Sequence, residues 1–311
     1  MSRLEISNLR VRFPTDDGVV RVTNGVDLDI EVGECLGLIG ESGSGKTVLG
    51  MAIVRLLPGD AKIDGVIRFD GRDLLSLNEA EMRIIRGREI VMILQNPTNS
   101  LNPVLTIGSQ IEEAVRLHSE LDRGCAKKKV VELLEKVGIR SASLRAKEYP
   151  YQFSGGMKER AMIAMALASD PSLIIADEPT KGLDVTIRRR VVKLIKEVTK
   201  TKSMLFITHD LGSAAEICDR IGVMYAGEIL EIAGTEDLLN DPLHPYTKGF
   251  LDSLPSRGLK PIPGMSPSLI DLPSGCKFHP RCDRAMDLCK RCDPPMIQKE
   301  DGRRVRCFQY A

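Results

Sequence analysis

The stretch "GESGSGKT", Gly40 to Thr47, has the residue types and spacing that grip a polyphosphate. It fits G-x-x-x-x-G-K-[S/T] without a gap. Gly40, Gly43 and Gly45 let the backbone fold back, so that successive N–H groups point inward at phosphate oxygens. The apolar run "ECLGLIG" precedes the loop, and "KTVLGMAIVRLL" follows it with helical spacing up to Pro58-Gly59. A helix N-terminus therefore adds its positive dipole end at the same point. Lys46 reaches the β- and γ-phosphates and the Thr47 hydroxyl ligates Mg²⁺, while Glu41, Ser42, Ser44 and Val48 complete the nucleotide-binding loop. A solvated Gly/Ser loop would share the composition, but not the strand before it and the helix after it.

A second stretch, "LIIADE", Leu173 to Glu178, is an apolar strand that ends in two acids. Asp177 then stands at a sheet edge, where a carboxylate can hold Mg²⁺ directly or through water. Glu178, one residue on, faces the other way and is the candidate to orient or activate an attacking water. Alone, such a pair reads as an acidic turn; beside a phosphate loop it reads as catalytic.

The elements that must position these residues follow from periodicity. "LEISNLRVRF" and "VVRVTNGVDLDI" read as strands, "EIVMILQNP" and "SMLFITHD" as buried strands, and "IGVMYAGEILEIA" as a hairpin. "IGSQIEEAVRLH", "AKKKVVELLEKVGI" with Gly138 as its stop, "GGMKERAMIAMALASDPS" and "IRRRVVKLIKEVTKTK" read as helices. Strands alternating with helices predict an α/β core with a mostly parallel sheet and an antiparallel β part. A helical subdomain is expected over about 96–160. After Gly234 proline becomes frequent and apolar periodicity fades, which sets domains at 1–234 and 235–311, the second a small cysteine-rich appendage.

The chain has 311 residues, with 44 Lys plus Arg against 43 Asp plus Glu. That balance gives no reason to expect a nucleic-acid partner. The N-terminus "MSRLEISNLRVRF" lacks the apolar core of a signal peptide, and no run of 18 apolar residues predicts a membrane span. A cytoplasmic protein is expected, with membrane contact only through partners and with structural disulfides disfavoured.

"FSGGMKER", Phe153 to Arg160, resembles the signature motif of ABC-type ATPases, with Phe153 and Met157 replacing its usual Leu and Gln. Ser154, Gly155 and Gly156 open a helix and, by that resemblance, bind the γ-phosphate held by the opposite subunit. The resemblance also implies Gln95 as the Q-loop residue that senses Mg²⁺, Asp184 of "GLD" as the D-loop residue, His209 as the switch histidine on the γ-phosphate, and Phe13 as the aromatic that stacks on adenine. It covers nearly all of the chain. "QNPTNSLNPVLTIGSQI" and "HPYTKGFLDSLP" are similar to the ATPase subunits of oligopeptide, dipeptide and nickel importers. The second of these reads physically as a Pro-Tyr turn leading into a short amphipathic helix. Lys181-Gly182 replaces the usual Thr-Ala before Leu-Asp, and "MKER" replaces Met-Arg-Gln-Arg; neither change removes a catalytic group.

What the resemblance implies is an ATP-hydrolysing subunit that powers import of oligopeptides or dipeptides. Two cassettes sandwich ATP, each site taking its phosphate loop from one subunit and its signature from the other. Catalysis then rests on Glu178, His209, Gln95 and Lys46, with Thr47, Gln95 and Asp177 holding Mg²⁺. The implied partners are a second ATPase (a paralogue or a second copy), two permeases and an external solute-binding protein, which place the chain at the cytoplasmic face of the membrane. A nickel importer is the nearest alternative. A soluble ABC ATPase of DNA repair or translation is the remote one, since only one phosphate loop is present and no long coiled-coil insertion.

Five of the eight cysteines fall in the last 36 residues. Cys35, Cys125 and Cys218, elsewhere, are expected as packed small hydrophobes. Cys289-x₂-Cys292 has zinc-like spacing, so zinc stays open, as does a metal-free packed tail. "CKFHPRCDRAMDLC" with "DPP" and "RVRC" resembles the tail of peptide-importer ATPases that carry a 4Fe-4S cluster, with Cys276, Cys282, Cys289 and Cys307 as the matching ligands. Nine Lys/Arg against five Asp/Glu over 276–311 suit an anionic cluster. His279 is the alternative ligand, and Cys292 is the dispensable thiol.

Overall fold

A computed structural model of the chain describes residues 2–95, 100–119 and 121–311. Part of the "QNPTNSLNP" stretch, 96–99, therefore lies outside the described residues. In chain order the elements begin with β1 (Ser2–Thr15), β2 (Gly18–Glu31), β3 (Cys35–Ile39), α1 (Lys46–Ile53), β4 (Lys62–Phe69), β5 (Arg72–Asp73), α2 (Glu79–Ile85) and β6 (Ile90–Ile93). Next come α3 (Ile107–His118), α4 (Arg123–Lys136), α5 (Ala142–Arg145), α6 (Gly155–Ala166), β7 (Leu173–Asp177), α7 (Val185–Val198) and β8 (Ser203–Ile207). The chain ends with α8 (Leu211–Ile217), β9 (Arg220–Tyr225), β10 (Glu228–Gly234), α9 (Thr235–Asn240), α10 (Pro245–Asp252), α11 (Asp287–Arg291), β11 (Ile297–Gln298) and β12 (Arg304–Val305). No helix among the described residues is long and apolar enough to cross a membrane.

The chain gathers into two compact units. One holds Ser2–Ile30, Leu36–Leu75 and Thr208–Ala311. Its antiparallel sheet runs in the order β2-β1-β4-β5. β1 alternates inward Leu4 and Ile6, then slips by one residue, so that Leu9 and Val11 stay inward. Asn8, at φ 48°, takes up the slip, and its N–H donates to Asp27 Oδ1 at 2.8 Å. In the same unit β3 pairs parallel with β9 and β9 antiparallel with β10. The β9–β10 turn, Ala226-Gly227, takes positive φ at both residues, which suits a tight hairpin. β12 adds antiparallel to β10, and β11 to β12. Residues after Gly234 thus share a unit with the phosphate loop.

The other unit holds Glu31–Cys35 and Ser76–Ile207. β6, β7 and β8 pair in parallel, and every residue of β7 and β8 is buried. Their unbroken apolar runs fit a sheet covered on both faces. Helix ends carry local signals: Thr106 caps α3, Asp122 caps α4, and Gly138 follows α4 at φ 73°.

Two expectations are corrected. α1 stops at Ile53, short of Pro58, because Arg55 turns left-handed at φ 52° and its Nη1 donates to the Leu74 carbonyl at 3.1 Å. Cys125 is exposed rather than packed, since it lies in the first turn of α4 with its N–H on the Asp122 carboxylate at 2.9 Å. Cys35 and Cys218 are buried as expected.

Candidate functional site

The phosphate loop links β3 to α1 by a tight reversal. Gly45, at the N-cap of α1, has φ 106°, and a Cβ there would come within 2.5 Å of the Val22 carbonyl oxygen. Only glycine fits. Lys46 is 7% exposed; its Nζ donates to the carbonyls of Gly40 at 2.8 Å and Glu41 at 2.9 Å and to Ser44 Oγ at 3.2 Å. The ammonium is thus already drawn into the loop. Gly227 of the β9–β10 turn donates to the Ser44 carbonyl at 3.1 Å and supports the loop from below. Ser42, Gly43 and Thr47 are exposed, while Val48 and, on β1, Phe13 are half-buried.

Glu41 is fastened on every polar side. Its N–H donates to the Tyr246 hydroxyl at 3.2 Å and its carbonyl accepts from Lys46. Its carboxylate accepts from Arg281 Nη1, 3.1 Å from each oxygen, and from the Ser266 hydroxyl. Two of these partners are 205 and 240 residues away in sequence. His209 belongs to the same unit. Thr208 N–H donates to the Leu38 carbonyl at 3.1 Å, so the exposed His209 leaves the sheet beside β3, the strand that feeds the phosphate loop. Asp210 caps α8 directly after it.

The carboxylates belong to the other unit. Asp177 ends β7 and is 1% exposed. Glu178 is held at φ 50°, with its N–H on the Ile207 carbonyl at 2.9 Å. A left-handed backbone at a residue with a side chain is strained by about 1–3 kcal/mol. Gln95, just past β6, is half-buried. Ser154 is the N-cap of α6; Ser154 and Gly155 are exposed and Gly156 is buried. Asp184 is exposed and caps α7, accepting from the N–H groups of Thr186 and Ile187 at 3.0 Å each.

One turn into α6, Glu159 is 1% exposed and its Oε2 has no hydrogen-bond partner among the described residues. Burial pushes its carboxyl up to about 8. A groove of about 270 Å³, lined by Met92, Leu94, Leu101, Ala114, Met162 and Met165, lies in the same unit.

In the tail, Cys276, Cys282, Cys289 and Cys307 line one small cavity of about 10 Å³. Burial pushes the Cys276 thiol up to about 12 and raises Cys282 and Cys307, each further raised by neighbouring thiols of the set. Cys276 N–H donates to the Cys289 carbonyl at 2.8 Å, which ties Cys276 to α11. Gly275, at φ 64°, permits the approach: a Cβ there would sit 2.3 Å from that same carbonyl oxygen. His279 Nδ1 lies 2.9 Å from the Cys276 carbonyl oxygen, and Cys292 is exposed. Among the described residues no three His, Cys, Asp or Glu side chains are gathered so as to hold a metal ion.

Sequence reasoning did not find Tyr246 and Arg281 as partners of Glu41, nor the burial of Glu159. "HPY" reads as a turn into a short helix and "HPRC" as part of the cysteine motif; nothing local points from either to Glu41.

A family model described as ABC transporter matches residues 23–181, and one described as oligopeptide/dipeptide transporter, C-terminal region, matches 230–289. The chain is 45% identical to the oligopeptide transport ATP-binding protein AppD of Bacillus subtilis, over 99% of this chain and 96% of that protein. It is 44% identical to the dipeptide transport ATP-binding protein DppD of the same organism, over 98% and 94%. It is 42% identical to the oligopeptide transport ATP-binding protein OppD of Salmonella typhimurium, over 98% and 93%. Among solved structures, a dimeric ATP-binding cassette bound to ADP and phosphate matches with a TM-score of 0.67 at 26% identity, over 75% of this chain and 98% of that one. The chain belongs to the ABC transporter family as an ATP-binding, ATP-hydrolysing subunit that carries the C-terminal region of the oligopeptide/dipeptide transporters.

Proposed function

We propose that this ATPase drives import of oligopeptides or dipeptides, peripheral to the cytoplasmic face of the membrane and bound to two permeases, with a second ATPase and an external solute-binding protein. The observation that carries the reading is the presence, on one chain, of the phosphate loop at 40–47 and the oligopeptide/dipeptide C-terminal region at 230–289. The apolar groove beside β6 suits a permease segment. Reconstitution with permeases and binding protein tests the assignment: labelled peptide should accumulate in an ATP-dependent way, and uptake of nickel in its place overturns the substrate.

In the proposed cycle Lys46 and the loop N–H groups bind the β- and γ-phosphates, and Phe13 stacks on adenine. Thr47, Gln95 and Asp177 are the residues that would hold Mg²⁺, directly or through water, and a bound ion would supply neutralising charge for the phosphates. Glu178 orients and deprotonates water, and His209 holds the γ-phosphate. Ser154, Gly155 and Gly156 of one subunit complete the site of the other, with Asp184 at the dimer interface. Positioning and charge supply the rate.

For the tail we propose a 4Fe-4S cluster on Cys276, Cys282, Cys289 and Cys307. What supports it is the donor set: four thiols lining one small cavity, in a basic segment. The lack of any gathered ion-holding group among the described residues lends it no support, and the cavity has to widen to admit the cluster. Iron and sulfide analysis after anaerobic purification decides it; one zinc per chain without iron overturns it.

A further inference from the structure

A carboxylate inside a polyphosphate-binding loop is a physical problem. Glu41 is the second residue of that loop, and its negative charge repels the ligand the loop exists to hold. Coulomb repulsion over several ångströms in a partly buried site changes affinity by about tenfold. The structure supplies a counter-charge, and it comes from the tail. Arg281 Nη1 bridges both oxygens of Glu41 at 3.1 Å, with its side chain 7% exposed.

Arg281 is itself locked. Its Nε donates to the Pro263 carbonyl at 3.0 Å and its Nη2 to the Ile262 carbonyl at 3.4 Å. Its guanidinium lies 5.7 Å from the centroid of the Tyr225 ring, and its Nη1 is 3.4 Å from the Tyr225 hydroxyl. Its backbone ends the turn His279–Arg281, three residues after Phe278. Phe278 packs edge-on against Tyr225 and Tyr246, at 5.4 and 5.3 Å between ring centroids.

We propose that Arg281 is a positioning residue of the nucleotide site. It neutralises Glu41 and turns its carboxylate away from the phosphates, so the C-terminal tail completes the loop that precedes it by more than two hundred residues. The inference rests on the reading of Gly40–Thr47 as the nucleotide site.

The test is binding of a fluorescent ATP analogue with Mg²⁺ to the purified full chain. Arg281→Ala should weaken binding about tenfold, and Glu41→Gln, which removes the repulsion, should tighten it about threefold. The double variant should return to within about threefold of wild type, because the two changes act on one charge pair. A double variant as weak as Arg281→Ala overturns the proposal and leaves Arg281 a structural strut. So does an Arg281→Ala protein that binds as wild type. If Arg281→Ala does not fold, Arg281→Gln with and without Glu41→Gln carries the same comparison. Lys46→Ala separates the two levels. If it binds ATP as wild type, the site reading itself fails. If it loses binding while Arg281→Ala does not, only the present inference fails.

Discussion

The hydroxyl of Tyr246 accepts the backbone N–H of Glu41 at 3.2 Å. Tyr246 is fully buried in α10, whose cap is His244, with Nδ1 accepting the Tyr246 N–H at 3.0 Å. Burial pushes the His244 imidazole down to about 3, so it stays a neutral acceptor and the cap persists across the physiological range. The "HPY" triplet therefore acts mechanically. Histidine starts the helix, proline sets its first turn, and tyrosine reaches the phosphate loop. Tyr246→Phe should lower stability by about 1 kcal/mol. A thermal melt with and without ATP checks this, and the ligand-induced rise in Tm should shrink in the variant.

Glu178→Gln should retain ATP binding and lose turnover by roughly 10²–10⁴-fold, the usual contribution of a positioned base. Single-turnover hydrolysis by the assembled transporter is the measurement. Turnover within a factor of a few of wild type removes Glu178 from the role.

Glu159 makes stability fall with rising pH. Its carboxyl is raised to about 8 by burial, from an ordinary 4.5. The folded chain therefore binds this proton more tightly than the unfolded chain. The stabilisation is full below about pH 4.5 and is lost as pH climbs through about 8. Glu159→Gln removes the titration, so wild type should lose about 3 kcal/mol relative to the variant between pH 6 and pH 9. Parallel melting curves over that range test it; two curves that run parallel at all pH values reject the protonated acid.

Cys292→Ser should leave iron content unchanged, because Cys292 is exposed and outside the thiol-lined cavity. Cys276→Ser and Cys289→Ser should each lower iron and sulfide by more than half. Equal iron in all three variants counts against the cluster.

Local chemistry was legible. The phosphate loop, the acidic strand end at Asp177 and the Ala226-Gly227 hairpin each draw their meaning from neighbours within a dozen residues. The slip at Asn8 was not legible: "LEISNLRVRF" reads as one alternating strand. Contacts that close over long separations were not: no local pattern links Tyr246 or Arg281 to Glu41. Cys125 was misjudged because helical spacing does not say which side of a first turn meets solvent. The unpaired oxygen of Glu159 depends on what packs around α6, which periodicity does not report.

The short strand β12 has a further consequence. It lies against β10 at Glu231 and Ile232, and Arg306 adds an N–H to the Leu230 carbonyl at 2.8 Å. Stripped of it, β10 would offer a raw flank of backbone donors and acceptors to any passing chain, the template on which sheets stick to one another. With it, the outermost strand is the two-residue β11, too short to recruit a neighbour. A chain cut before Ile297 should therefore clump, whatever becomes of its thiols, and point substitutions rather than deletions are the way to ask what the tail does.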